Sequence, residues 1–206
     1  MDISYIFMIL FLMLGPFKIM GPFNRMTKDA DPKLARRVAI RSILISSIAL
    51  LLASLLGKRI MSNFNIPIPI LALSGGMILF LVAILNVIQQ FSEHGGREKD
   101  VEPLNMNMAM YPLAFPITVT PYGIAAVIVF MALLPGVEGD LTVGLMVFGI
   151  MVLNLAMMLL NRYIFKVLAL ILPVLGAILS VVQVALGLQI MYKSLLQLIH
   201  PMETVQ

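Results

Sequence analysis

Cysteine is absent from this 206-residue sequence, and charged residues are scarce. Without cysteine the chain has no disulfide bond, no thiolate nucleophile and no cysteine-ligated metal. Charged residues make up 12% of the chain and hydrophobic residues 61%, whereas soluble domains average about 25% charged and about 45–50% apolar residues. The composition therefore argues against a soluble globular fold and indicates a membrane protein.

Residues that support catalysis are also scarce. The chain has two histidines, His94 and His200, and no Asp or Glu lies within its long apolar stretches. Metal-dependent and aspartyl chemistry therefore lack ligands and acids, and a serine nucleophile lacks a nearby base. We expect no enzyme activity, no catalytic residue, no metal site and no cofactor. The Gly-x-x-x-x-Gly-Lys-Ser/Thr motif of ATP-binding loops is missing as well.

Six long stretches of the chain contain no charge. A helix needs about 20 mainly apolar residues to cross a bilayer. The stretches are residues 3–17, 42–57, 60–92, 103–137, 141–161 and 167–192. They predict an all-α membrane protein with six transmembrane helices, at about residues 3–23, 39–57, 68–87, 106–134, 141–160 and 175–198. No Lys or Arg precedes the first apolar run, so we interpret it as a retained span rather than a cleavable signal peptide.

The basic residues are distributed unevenly between the predicted loops. Ten lie in loops on one side: Arg25, Lys28, Lys33, Arg36, Arg37, Arg41, Arg97, Lys99, Arg162 and Lys166. Three lie on the other side (Lys58, Arg59 and Lys193), and Lys18 lies in the first span. This bias predicts a multi-pass protein of the plasma (inner) membrane with both termini extracytoplasmic. It also makes the lipid bilayer, and not nucleic acid, the expected partner of this +4 chain.

A polar segment at about residues 89–105 divides the chain into two halves. Each half has three predicted spans, and because three is odd the halves have opposite orientations, as an inverted repeat requires. We predict a single integral membrane domain over residues 1–206. It contains repeat one at about 1–88, a cytoplasmic loop at about 89–105, and repeat two at about 106–200.

Prolines and glycines interrupt the first span of each half. They are Gly15, Pro16, Gly21 and Pro22 in span one, and Pro112, Pro116, Pro121 and Gly123 in span four. Each proline removes a backbone donor and clashes with the preceding turn, so we expect helices 1 and 4 to be broken. Such pairs of interrupted segments point to a transporter's central binding site. Half-helix N-termini suit a carboxylate there, and carbonyl groups suit a cation.

The predicted substrate-binding residues lie in the two interrupted segments and on the third span. They are Gly15, Pro16, Lys18, Gly21, Ser74, Gly75, Gly76, Pro116, Thr118, Thr120 and Pro121. Lys18 has two open interpretations: a side chain that reaches the cytoplasmic interface, or an inward cation for a solute carboxylate. The glycines of span three, like Gly176 and Gly187, also suit close helix packing, and the prolines taken singly suit kinks that only shape the bundle.

Four stretches carry a likeness to a known family. They are residues 15–23, 26–42, 66–79 and 112–121, and they include Gly15-Pro16, Leu73-Ser74-Gly75-Gly76-Met77 and Phe115-Pro116. The chain resembles the MarC family of multi-pass membrane proteins, related to the wider lysine-exporter superfamily of small-solute transporters. The resemblance implies six spans in inverted halves and, for some members, transport of neutral amino acids coupled to a cation gradient.

The chain departs from the family pattern inside the predicted site. Lys18 stands where the first break usually has glycine, Ala72 where the third span usually has arginine, and Thr120 and Tyr122 where the fourth span usually reads Gly-Pro-Gly. One possibility is that Lys18 restores the cation missing at Ala72. The other is that the chain has diverged to a different solute or has lost transport.

These observations lead to two expectations of function. The first is a secondary transporter of small polar solutes, neutral amino acids or similar zwitterions, working by alternating access at the paired broken helices. Its coupling ion would be sodium or a proton, or transport would be uncoupled. The alternative is a non-transporting structural or regulatory membrane protein of the same fold. Assembly into a homo-oligomer is left open.

Overall fold

The computed structural model describes residues 3–92, 103–134, 136–168 and 171–199. Within these ranges the chain is helical and contains no β-strand. The helices are α1 (Ile3–Leu14), α2 (Phe17–Thr27), α3 (Pro32–Asn63), α4 (Ile68–Ser92), α5 (Pro121–Leu133), α6 (Val137–Leu168) and α7 (Leu172–Ile199). A 3-10 turn (Met106–Ala109) and an irregular segment (Met110–Thr118), in which Tyr111 and Phe115 have extended backbone angles, precede α5. Most of the predicted cytoplasmic loop, residues 93–102, lies outside the described residues.

The number of membrane-crossing helices agrees with the expectation from charge-free stretches. Five spans are long and apolar enough to cross a bilayer, of which α1 and α2 together form the first. Residues Met106–Thr118 and α5 form a sixth if they are counted as one span, bent by 61° at the junction. The described chain is thus an all-helical membrane protein with five to six spanning helices, and it reaches the predicted six when the bent pair is counted as one span.

Several helices are longer than the predicted spans. α3 begins at Pro32 and not near residue 39, because the carboxylate of Asp31 accepts a hydrogen bond from the Lys33 amide (3.3 Å) and proline suits the first helical position. α4 continues to Ser92, so residues 89–92 of the predicted cytoplasmic loop belong to this helix. The predicted spans ended where polar and charged residues begin, whereas both helices continue into those polar residues.

The interruption of span one is shorter than predicted. The sequence predicted a break reaching from Gly15 to Pro22, but α2 continues through Gly21 and Pro22. The non-helical residues between α1 and α2 are Gly15 and Pro16. A single proline inside a helix removes one backbone donor, and in membrane bundles neighbouring groups compensate for that loss.

Small residues bring α4 and α7 into close contact, the most extensive helix pair among the described residues. A Cβ atom on Gly187 would lie 2.9 Å from the Phe80 amide nitrogen, and one on Gly76 would lie 3.1 Å from the Gly187 carbonyl oxygen. The expected packing role of these two glycines is therefore confirmed. The same expectation for Gly176 is wrong, because a Cβ there would meet nothing within 4 Å.

An ion pair joins the end of α3 to the start of α6. Lys58 Nζ lies 2.7 and 2.9 Å from the two carboxylate oxygens of Asp140, and both side chains are more than a third exposed. We expect Asp140→Asn to lower the free energy of unfolding by less than about 1 kcal/mol, because water screens an exposed pair. Thermal unfolding in detergent at low and high salt measures this loss, with Glu138→Gln as the control because Glu138 makes no ion pair within the described residues. A larger, salt-insensitive loss would contradict the prediction.

Candidate functional site

The interrupted parts of span one and span four lie against each other. Leu14, the last residue of α1, packs on Gly123, where an added Cβ would approach the leucine Cδ2 to 2.7 Å. Just beyond the interruption, Lys18 Nζ lies 5.3 Å from the centre of the Tyr122 ring, near the start of α5. The end of α1, the start of α2 and the start of α5 therefore meet inside the bundle.

Three side chains satisfy the carbonyl groups at the end of α1. The last carbonyls of a helix have no partner within it. Here Lys18 Nζ donates to the Met13 oxygen, Asn154 Nδ2 donates to the Leu14 oxygen (2.7 Å), and Gln183 Nε2 donates to the Leu12 oxygen (3.2 Å). The donors come from α2, α6 and α7, so residues distant in sequence hold this helix end in place.

Two threonines shape the chain before α5. The Thr118 hydroxyl donates to the Leu113 carbonyl oxygen (2.8 Å), and the Thr120 hydroxyl accepts from the Gly123 amide (3.2 Å) as the N-cap of α5. Both threonines are buried. The start of α5 carries the positive end of its helix dipole, and the Lys18 ammonium lies over the ring of Tyr122, the second residue of α5. Two positive features thus converge on one place.

A cavity of about 120 Å³ lies between α1, α4, α5 and α7. It extends along α5 from Tyr122 to Leu133, eleven residues apart, a helix length of about 16 Å at about 1.5 Å per residue. Its lining is mainly apolar and includes Met13, Ala72, Gly75 and Gly76. The cavity therefore leads from the meeting point of the interrupted spans toward the end of the bundle where α1 begins.

At the opposite end of this cavity the lining becomes polar. Lys193 Nζ lies 5.7 Å from the centre of the Tyr5 ring, and both residues line the cavity together with Ser194 and Gln197. Lys193 is the charged side chain among the described lining residues. The cavity therefore has a cation at this end and a mainly apolar interior.

The structure brings some of the predicted site residues together and separates others. Gly75 and Gly76 line the cavity. Lys18 does not line it, but its Nζ atom lies over the ring of Tyr122, which does. Gly15, Pro16, Thr118 and Thr120 are buried at the interruptions but do not line the cavity. The remaining four are at least partly exposed, away from the lining: Gly21, Ser74, Pro116 and Pro121. Ser74 donates its hydroxyl hydrogen to the Ile70 carbonyl oxygen within α4 (2.9 Å).

Several residues of the site were not predicted as substrate-binding. Asn154 and Gln183 are amides in otherwise apolar spans, and amides in such positions commonly hydrogen-bond neighbouring helices. Tyr122 was recognised as a departure from the resembled family, but its position under Lys18 depends on how α2 and α5 pack. Tyr5 and Lys193 meet across 188 residues of sequence, which no local motif indicates.

Known relatives cover part of the chain. The UPF0056 membrane protein of Buchnera aphidicola (Schizaphis graminum) is 30% identical over 113 residues, which is 55% of this chain and about half (55%) of that protein. The UPF0056 inner membrane protein YhgN of Escherichia coli K12 is 27% identical over 139 residues, 67% of this chain and 68% of its own. The UPF0056 membrane protein MJ1677 of Methanocaldococcus jannaschii is 30% identical over 138 residues, 64% and 66% of the two chains.

No solved structure matches the chain. The family model described as MarC family integral membrane protein matches residues 1–199, nearly the whole sequence. This match agrees with the apolar spans, which make the protein an integral multi-pass membrane protein with an inner-membrane relative in Escherichia coli. The chain belongs to the MarC family of integral membrane proteins.

Proposed function

We propose that this protein is a secondary transporter of small polar solutes, with neutral amino acids or similar zwitterions as substrates. The observation that carries the proposal is the contact between the interrupted parts of spans one and four at the inner end of a cavity. Non-helical backbone at membrane depth is tolerated where it lines a cavity or is buried in protein. In transporters such segments hold the solute near the middle of the bilayer.

The electrostatics of this place suit a zwitterion. The Lys18 ammonium and the positive end of α5 favour a carboxylate, whereas the carbonyl oxygens at the end of α1 favour an ammonium group. Each carbonyl oxygen has a second lone pair, so the bonds from Lys18 and Asn154 leave room for another donor. The mainly apolar lining beyond it favours a small, uncharged side chain on the solute.

Alternating access would arise from rocking of the two inverted halves about these segments. The helices of the described chain carry carboxylates only in the first turn of α6, at Glu138 and Asp140. Within the described residues, therefore, no carboxylate lies deep in a span where it could carry a proton. Sodium held by carbonyl and threonine oxygens, proton movement through Lys18, and uncoupled transport are the remaining modes. We place the protein in the inner membrane with both termini extracytoplasmic.

Counterflow in proteoliposomes tests the proposal. Vesicles loaded with an unlabelled neutral amino acid should accumulate the same labelled amino acid, with and without sodium and proton gradients, when they contain the protein. Vesicles without protein give the background, and a Lys28→Met variant, altered at an exposed residue after α2, should match the parent. Absence of both flux and binding across a broad amino-acid panel would refute transport and favour the structural or regulatory alternative.

A further inference from the structure

Three asparagine side chains, Asn154, Asn161 and Asn24, lie on the side of the α1–α2 interruption that is opposite the cavity. Asn154 on α6 bonds Leu14 at the end of α1, and Asn161 on α6 donates from Nδ2 to Asn24 Oδ1 on α2 (3.4 Å). Asn154 and Asn161 are seven residues apart, about two helical turns and about 10 Å, so they lie on one face of α6. The cavity follows α1 back toward Tyr5, whereas these amides follow α2 toward its end.

These two asparagines are deeply buried but incompletely bonded. Asn154 is 1% exposed and Asn161 is 2% exposed. The Oδ1 atoms of both belong to the four buried side-chain oxygens of the described residues that have no hydrogen-bond partner; the others are the Ser42 and Ser46 hydroxyls. A buried unsatisfied acceptor costs about 1–3 kcal/mol. The Nδ2 atoms of both asparagines have partners in this conformation, whereas the Oδ1 atoms do not. The oxygens therefore point to a second state in which they have partners.

We propose that Asn154, Asn161 and Asn24 line the inner half of the solute pathway, which is closed in this conformation and becomes hydrated when the protein opens to the other side. The inference rests on the proposed transport function and specifies its route. The cavity supplies the outer half, the interrupted spans supply the centre, and the α2–α6 interface supplies the inner half. In the open state, water and the polar groups of the passing solute satisfy the free asparagine oxygens.

The natural absence of cysteine makes the route testable by single-cysteine labelling. Asn161→Cys and Asn24→Cys are prepared separately, and Leu160→Cys, next to Asn161 but 45% exposed on the bundle surface, is the control. A membrane-impermeant, positively charged methanethiosulfonate reagent is added to one side of right-side-out or inside-out vesicles. Because thiolate, the reactive form, needs water, both route cysteines should react from the cytoplasmic side at least about tenfold faster than the control.

The labelling results test the inner half of the pathway independently of whether the protein transports amino acids. Ala72→Cys, in the cavity, should react from the extracytoplasmic side. Rates for Asn161→Cys and Asn24→Cys no higher than for Leu160→Cys from either side, or reaction from the extracytoplasmic side alone, would overturn the route even if the parent transports amino acids. Fast cytoplasmic labelling in a protein without measurable flux would support the hydrated pathway and count against transport. Because Asn24 is only partly buried, Asn24→Cys is the milder substitution, and its labelling rate can still be measured if Asn161→Cys fails to insert.

Discussion

A Lys18→Met variant should reach the membrane at normal levels and lose transport by at least about tenfold, since a hydrogen bond from a charged group contributes about 1.5–3 kcal/mol. Methionine keeps much of the length of the lysine side chain but removes the charge and the donor. The Met13 carbonyl then loses its partner, and the cation above the Tyr122 ring disappears. A solute carboxylate would have no counter-charge beside the start of α5.

Initial rates over a range of solute concentrations in proteoliposomes measure this effect. Lys28→Met is the matched control because it makes the same change at an exposed residue. Lys18→Arg, which retains the charge, should keep more activity than Lys18→Met. Kinetics of Lys18→Met equal to those of the parent would show that Lys18 only reaches toward the interface.

The position of Ala72 extends the Lys18 prediction to a pair of residues. Ala72, on α4, lines the cavity. Lys18 lies over the ring of Tyr122, which lines the inner end of the same cavity. If Lys18 replaces the arginine usual in the family at position 72, Lys18→Gly combined with Ala72→Arg should retain transport that Lys18→Gly alone loses. An inactive double variant that reaches the membrane would argue against compensation.

Gly187→Ala should lower the thermal stability of the protein in detergent, with a loss of about 1–3 kcal/mol typical of overpacking. The new methyl group would lie 2.9 Å from both the Phe80 amide nitrogen and its Cβ, and 3.0 Å from the Gly76 carbonyl oxygen. These neighbours are mostly backbone and cannot swing away as a flexible side chain can. α4 and α7 would have to separate along the most extensive helix contact of the described chain.

Gly176→Ala is the control for this prediction because it makes the same change in the same helix. A Cβ at Gly176 meets nothing within 4 Å, and alanine favours a helix over glycine by up to about 1 kcal/mol. The two substitutions should therefore shift the unfolding temperature in opposite directions, or leave Gly176→Ala unchanged. Equal shifts would contradict the role of Gly187 as a contact point.

Much of the fold could be predicted because a bilayer restricts what a chain can do. Only helices with internally satisfied backbones or closed barrels cross the hydrocarbon, so charge-free stretches of sufficient length indicate spans directly. Helix ends were less predictable. Asp31 starts α3 well before its apolar part, and α2 continues through Pro22 where a break was expected. The first depends on a capping hydrogen bond and the second on the tolerance of membrane bundles for a proline inside a helix, and hydropathy registers neither.

By itself the sequence determined that this is an all-helical membrane protein and that its first and fourth spans contain the proline and glycine clusters. Composition and local chain geometry carry that information. Only the tertiary structure decided that Asn154 and Gln183 hold the end of α1, that Lys18 lies over Tyr122, and that Gly76 faces Gly187. These contacts join residues that are far apart in the chain, and their geometry follows from how the helices pack.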